Sequence, residues 1–186
     1  MSRTHRLLRE ALIRLVHERG WDAITVQDVC RRADVGRSTF YLHFADKEEL
    51  LVSGFGDLGK QLREQAKEEA LGFTLALFEH AREFEPLYRA LLGKRTGQVV
   101  YRGFLNLVIE LLDEDVASVA PPGPLRDAAV RYLAGAFWEL LQLWASQPKR
   151  ASAIEVDGLF RRLTMPVLRE LRKSDEPQPR QARANR

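Results

Sequence analysis

The sequence predicts an all-α protein, and three observations carry that expectation. Apolar residues recur at i, i+3, i+4, i+7 spacing in segment after segment. No stretch alternates with the period of a strand, and prolines and glycines fall between the periodic segments. At 186 residues the chain is long enough for a substantial core in one or two compact domains. No apolar run approaches a membrane span, and the N-terminal MSRTHRLLREAL lacks the apolar centre of a signal peptide. A cytoplasmic protein with no membrane partner is therefore expected. The single cysteine leaves no internal disulfide framework, which suits a reducing compartment.

The first helix is marked by the stripe Leu8, Ala11, Leu12 and Leu15, and Gly20 is a natural residue just past its end. Arg3, Arg6, Arg9 and Arg14 are expected on its solvated face, one or two of them within reach of phosphate. A second helix follows on Val26, Val29, Cys30 and Ala33, with Thr25 and Asp28 spaced as in a capping box. Cys30 lies on the inward stripe and reads as a core residue. Asp34-Val35-Gly36 permits a sharp turn, after which Val35, Phe40 and Phe44 face inward. Arg37, Ser38, Thr39, Tyr41 and His43 are left outside. Asp46 with Glu49 repeats the cap, and Lys47 falls in the first turn of the next helix. Two short helices on a tight turn, the second polar on its outer face, form a helix-turn-helix. Its second helix is the one suited to the DNA major groove.

The fourth helix is expected to run from Asp46 through Leu50, Leu51, Phe55, Leu58 and Leu62. Within it Gly54-Phe55-Gly56-Asp57-Leu58-Gly59 reads as G-x-G-x-x-G, but that fingerprint needs a preceding strand, so nucleotide binding is rejected. Each glycine costs a helix interior about 1 kcal/mol relative to alanine, so three should make a compliant joint here. Leu71 to Phe84 is amphipathic, and Pro86 opens a short helix carrying Leu87, Leu91 and Leu92. Gly93 to Gly97 is a loop. A long helix from Gln98 to Val116 turns Tyr101, Phe104, Leu105, Val108, Leu111 and Leu112 inward. Pro121-Pro122-Gly123-Pro124 is a break, and Leu125 to Ser146 is the most apolar helix, ended by Gln147-Pro148. Ser152 with Glu155 caps a last helix through Leu171, which Pro166 should kink or divide.

Three runs now stand together: GWDAITV (20–26), ADVGRSTFYLHF (33–44) and DKEEL (46–50). With them the first fifty residues resemble the DNA-binding domain of the TetR family of bacterial regulators. Cys30 and Asp34 replace the alanine and glycine usual in that family, and Gly36 stands where a serine commonly caps the recognition helix. Glycine still serves as an N-cap. The resemblance implies a helix-turn-helix DNA-binding domain over 1–50, a helical effector-binding and dimerisation domain over 51–172, and leaves 173–186 as a disordered basic tail. It also implies that Thr25, Tyr41, His43 and Lys47 meet phosphates of a double-stranded DNA operator. Arg37 and Ser38 are candidates for base edges, because an arginine pairs bidentately with guanine. Thr39 suits phosphate or a thymine methyl, and Leu42 the latter.

The second half has its own candidates. Residues 132–144 are apolar almost all round, and a helix of that kind must be covered on more than one side. The resemblance makes this helix and the last one a homodimer interface, with Gly135, Ala136, Leu140, Leu143, Phe160, Leu163 and Val167 in it. A small hydrophobic effector is expected against Phe78, Tyr88, Tyr101, Phe104 and Trp138. Arg102, Asn106 and Glu110 share one face and read as a solvated edge. His80 and Glu83 are too few for a metal, so neither metal nor cofactor is expected.

Charge adds little. From Arg172 onward five basic residues stand against two acidic ones, and taking these from 29 and 26 leaves 24 of each sign. The first 43 residues hold eight arginines against five acids, a modest local excess. Four scattered histidines and the absence of H-E-x-x-H, G-x-S-x-G or a phosphate loop speak against an enzyme. The expected function is a ligand-responsive regulator, a repressor on a palindromic operator. An effector-free helical interaction module is the competing reading.

Overall fold

The computed structural model describes residues 3–66, 70–92, 98–147 and 151–175. Among these residues the chain forms ten α-helices, one short 3-10 turn and no strand. None of these helices is long and apolar enough to cross a membrane. The loop expected at 93–97, Pro148 and the tail beyond residue 175 lie outside the described residues.

Helices α1 (Arg3–Arg19), α2 (Val26–Ala33), α3 (Arg37–Tyr41) and α4 (Lys47–Val52) make an N-terminal head. Gly20, at φ 75°, ends α1 in a conformation that a side chain disfavours. The capping box of α2 is formed: the Asp28 amide donates to Thr25 Oγ1 at 3.2 Å and the Thr25 amide to Asp28 Oδ2 at 3.0 Å. Asp34 ends α2 in the left-handed region at φ 53°, which aspartate tolerates better than most residues. Gly36 caps α3 with its backbone alone. Asp46 Oδ1 accepts from the Glu49 amide at 2.7 Å, and Glu49 Oε2 accepts from the Ala45 amide at 2.6 Å. Leu8, Leu12, Leu15, Val29, Phe40, Phe44 and Leu50 close the head's core.

The helix expected to run unbroken from Asp46 to Leu62 is interrupted. α4 stops at Val52, and α5 (Phe55–Gln65) begins after a turn at Ser53–Gly54. Arg9, expected on the solvated face of α1, instead reaches into this turn. Its guanidinium donates to Ser53 O at 2.9 Å and to Asp57 Oδ2 at 2.8 Å. Gly59 is explained by packing, since a Cβ there would lie 2.9 Å from Leu107 Cδ1.

Helices α5, α6 (Gly72–Glu83), α7 (Glu85–Leu92), α8 (Gln98–Ala117), α9 (Pro124–Ser146) and α10 (Ala153–Asp175) make the body. Leu71, just before α6, is held at φ 63°, unusual for a branched side chain, and is fully buried. Its amide donates to Asp115 Oδ2 at 2.7 Å, and its carbonyl accepts from Arg161 Nη2 at 2.7 Å. Burial pushes the Asp115 carboxyl above its usual range, and the Leu71 amide offsets part of that. Arg161 is oriented by Asp157, against which the Thr74 hydroxyl also lies. The Ser152–Glu155 cap opens α10, which runs through Pro166 undivided and on to Asp175, past the expected boundary at 172. Tyr101, expected inward, is 40% exposed.

Candidate nucleic-acid interface and ligand cavity

The head presents α3 to solvent because two rings anchor its other side. Phe40 and Phe44 are buried with centroids 5.7 Å apart, and they fix a helix of only five residues. Arg37, Ser38, Tyr41, Leu42 and His43 are exposed together, Leu42 to 79%. The Arg37 guanidinium sits 5.9 Å over the Tyr41 ring, which aligns it along the face. Thr39 is half-buried.

Two of the residues expected at phosphates are engaged within the chain. The Thr25 hydroxyl donates to Asp28 Oδ2 at 2.6 Å as part of the capping box. The Lys47 ammonium donates to Trp21 O at 2.8 Å and Ile24 O at 2.9 Å and lies 4.6 Å from the Trp21 ring centroid. It thus ties the start of α4 to the turn that feeds α2. His43 meets His5 of α1 edge-on at 4.7 Å. Burial, then the neighbouring His43, hold the His5 imidazole below its usual pKa. Nothing in the spacing of the first helix singles out His5, because only the folded bundle brings it to His43. Cys30 is buried and its thiol is pushed up by burial, in keeping with a core residue.

Between head and body lies a cavity of about 280 Å³. Leu12 and Ile13 of α1, Phe55 and Leu58 of α5, and Phe84 and Phe104 form its apolar walls. Tyr88 and Phe104 line it as expected, but the other three expected effector residues do not. Phe78 is fully buried between Phe137 at 4.9 Å and Trp144 at 5.6 Å, so it is core. Tyr101 and Trp138 form their own edge-on pair at 4.9 Å, outside the cavity. Arg102, Asn106 and Glu110 are all exposed. Among the described residues no three His, Cys, Asp or Glu side chains stand close enough to hold a metal.

On α9 and α10, Ala136, Leu143 and Leu163 are exposed and Gly135, Leu140 and Val167 half-buried. Phe160 is a correction: it turns inward, edge-on to Phe137 at 5.2 Å, and belongs to the intramolecular core. Tyr132, four residues before Ala136, is exposed on the same face and was not singled out by the sequence.

Fold and exposed face define the class: a helix-turn-helix protein whose head is joined to a larger all-helical body. Residues 8–53 match the model of bacterial regulatory proteins, tetR family. The matched residues are those of the helix-turn-helix head. It is 30% identical over 99 residues to the uncharacterized HTH-type transcriptional regulator YhgD of Bacillus subtilis (strain 168), a match covering 53% of this chain and 50% of that protein. The chain thus spans about half the length of that curated relative. A TetR transcriptional regulator from Rhodococcus sp. RHA1 superposes with a TM-score of 0.70 at 18% identity, over 91% of this chain and 99% of that one. RolR in complex with resorcinol superposes at 0.64 and 20% identity, over 95% of each chain. At such identities the two structures speak to the fold.

Proposed function

We propose that this chain is a ligand-responsive, sequence-specific DNA-binding regulator, a repressor acting as a homodimer on a near-palindromic operator. The observation that carries the reading is the outer face of α3 and the turn after it: Arg37, Ser38, Tyr41, Leu42 and His43 are open to solvent on a segment pinned from behind by Phe40 and Phe44. Arg37 and Ser38 reach base edges, Leu42 and Thr39 meet a thymine methyl or phosphate, and Tyr41 and His43 meet phosphate. Residues 1–50 serve as the DNA-binding unit and 51–172 as the ligand and dimer unit.

Pairing of copies is supported by apolar side chains left uncovered on α9 and α10. Tyr132, Ala136 and Leu143 share one face, and Leu159 and Leu163 stand exposed one turn apart. Two copies would place their α3 helices about 34–36 Å apart, one turn of DNA. The cavity supports a small-molecule effector, and the shared fold of RolR, whose structure holds resorcinol, is consistent with it. An effector shifts DNA binding only by its difference in affinity for the competent and incompetent forms.

Selection of the full chain on a pool of random duplexes at moderate salt, with sedimentation of the free protein, tests this. A symmetric enriched site and a dimer are expected, and Arg37→Ala should relax one base position by about 1–3 kcal/mol. A monomer with no sequence preference would end the reading.

A further inference from the structure

Within the reading just given, the cavity's lining narrows the chemistry of what it holds. We infer that it takes an uncharged molecule with a ring-sized apolar body and one hydrogen-bonding group, recognised by the Tyr88 hydroxyl and the His80 imidazole.

Charge is the first argument. The ionised side chains that line the cavity are already matched. Arg9 is paired with Asp57 at 2.8 Å and also donates to Ser53 O, and Arg6 lies 3.9 Å from Glu10. A carboxylate or ammonium entering among the apolar walls would break the part-buried Arg9–Asp57 pair or remain without a counter-charge, and both are costly, whereas the Arg6–Glu10 contact is solvent-exposed and weak. His80 supplies no cation, since burial holds its pKa below the ordinary value while exposed Glu83 offsets this only in part.

Hydrogen bonding is the second. Tyr88 is 4% exposed, and among the described residues its hydroxyl has no hydrogen-bond partner; the His80 imidazole has none either. Their rings stand edge to face at 5.8 Å, so the two groups occupy one part of the wall. Burial raises the Tyr88 phenol above its ordinary pKa, which keeps its proton. A neutral phenol and a neutral imidazole can each donate and accept, so a ligand hydroxyl or carbonyl can bond two groups that make no hydrogen bond to the described residues. The same cavity is bordered by Arg9, Gly54 and Asp57 at the α4–α5 turn, so its occupant touches the joint between head and body.

The test is a matched series offered to the full chain at pH 7.5: 1-naphthol, naphthalene and naphthalene-1-carboxylate. Affinities are read by equilibrium dialysis and folding by melting temperature. The naphthol should bind more tightly than naphthalene, and the carboxylate at least about tenfold more weakly than the naphthol. Tyr88→Phe should weaken the naphthol by roughly three- to tenfold and leave naphthalene unchanged. His80→Phe should act in the same direction. If the carboxylate binds best, or Tyr88→Phe leaves the naphthol untouched, the inferred ligand class is wrong while the cavity remains an effector site. If none of the three binds the parent chain up to its solubility, the inferred ligand class falls, while the DNA-binding reading still stands or falls by the selection and sedimentation above. Should Tyr88→Phe not fold, the ranking of the three on the parent chain still decides.

Discussion

Head and body are tied at different distances along the chain. Both regions carry short caps, Thr25 with Asp28 and Asp46 with Glu49 in the head and Ser152 with Glu155 in the body, but the head's longer ties, those of Lys47, reach only 26 residues back to Trp21 O. In the body they reach across the fold, with Arg161 donating to Ala70 O and Leu71 O and Asp115 accepting from the Leu71 amide. In the head two buried rings, Phe40 and Phe44, pin a five-residue helix from behind while its outer face stays free. Long ties hold a buried, left-handed Leu71 in place and leave a cavity where the two regions meet. On the proposed function the head needs a stiff outer face, and the body a space walled by distant parts of the chain.

The strongest way to break this comparison is Phe40→Ala. Removing a fully buried ring should cost about 3–5 kcal/mol and abolish DNA binding. If the head has its own core, amide exchange will rise in α2–α4 while the near-ultraviolet dichroism of Trp138 and Trp144 persists. Leu87 and Val100 of the body join the head's core, so some loosening of α7 is expected too. Loss of both signals in one step would show that the chain has one cooperative unit and that the division is only descriptive.

Lys47 comes next in size. Its ammonium serves two backbone carbonyls, and bonds from a charged donor contribute about 1.5–3 kcal/mol. Lys47→Met should lower the denaturant midpoint by a corresponding amount with little change in slope. A variant of full stability whose DNA binding loses about one unit of salt dependence would instead assign Lys47 to a phosphate.

These two residues also show what the sequence made legible. Phe40 stood out because helical spacing alone puts it opposite Arg37, Ser38 and Tyr41. Thr25, Asp28, Asp46 and Glu49 stood out because capping is a rule over three residues. Lys47 was legible as a charge in a first turn, but not its destination, since Trp21 O is 26 residues away in sequence. Cavity walls are harder still. Aromatic spacing singled out Tyr88 and Phe104 together with Phe78, Tyr101 and Trp138, and spacing does not tell a ring lining a space from a ring filling one. Arg9 was read as solvated because its partners, Ser53 O and Asp57, lie more than forty residues on.

Gly103 sharpens the comparison at the contact itself. It lets α8 approach the α4–α5 turn, where a Cβ would lie 2.8 Å from Val52 Cγ1 and 3.1 Å from Phe55 Cε2. Gly103→Ala should therefore destabilise by about 1–3 kcal/mol through overpacking, despite alanine's better helix propensity. A gain in stability would mean that Val52 and Phe55 repack freely and that the turn is looser than its contacts suggest.

The smallest expected effect separates the glycines that the G-x-G-x-x-G run had grouped as one joint. Gly54 sits in the turn beside Arg9, and Gly59 packs under Leu107, but a Cβ on Gly56 would meet nothing within 4 Å. Gly56 is the second residue of α5, has no left-handed backbone and is exposed. Its replacement by alanine should therefore stabilise the chain by about 0.4–1 kcal/mol, mostly by restricting the unfolded state, and raise the melting temperature slightly. If compliance resides at the Ser53–Gly54 turn, Gly56→Ala should leave any ligand-induced change in DNA affinity as it was. If it resides along α5, the same substitution should blunt that change while raising stability. The two readouts move independently, so a stabilised variant with an undiminished response would confine the joint between head and body to the turn that Arg9 holds.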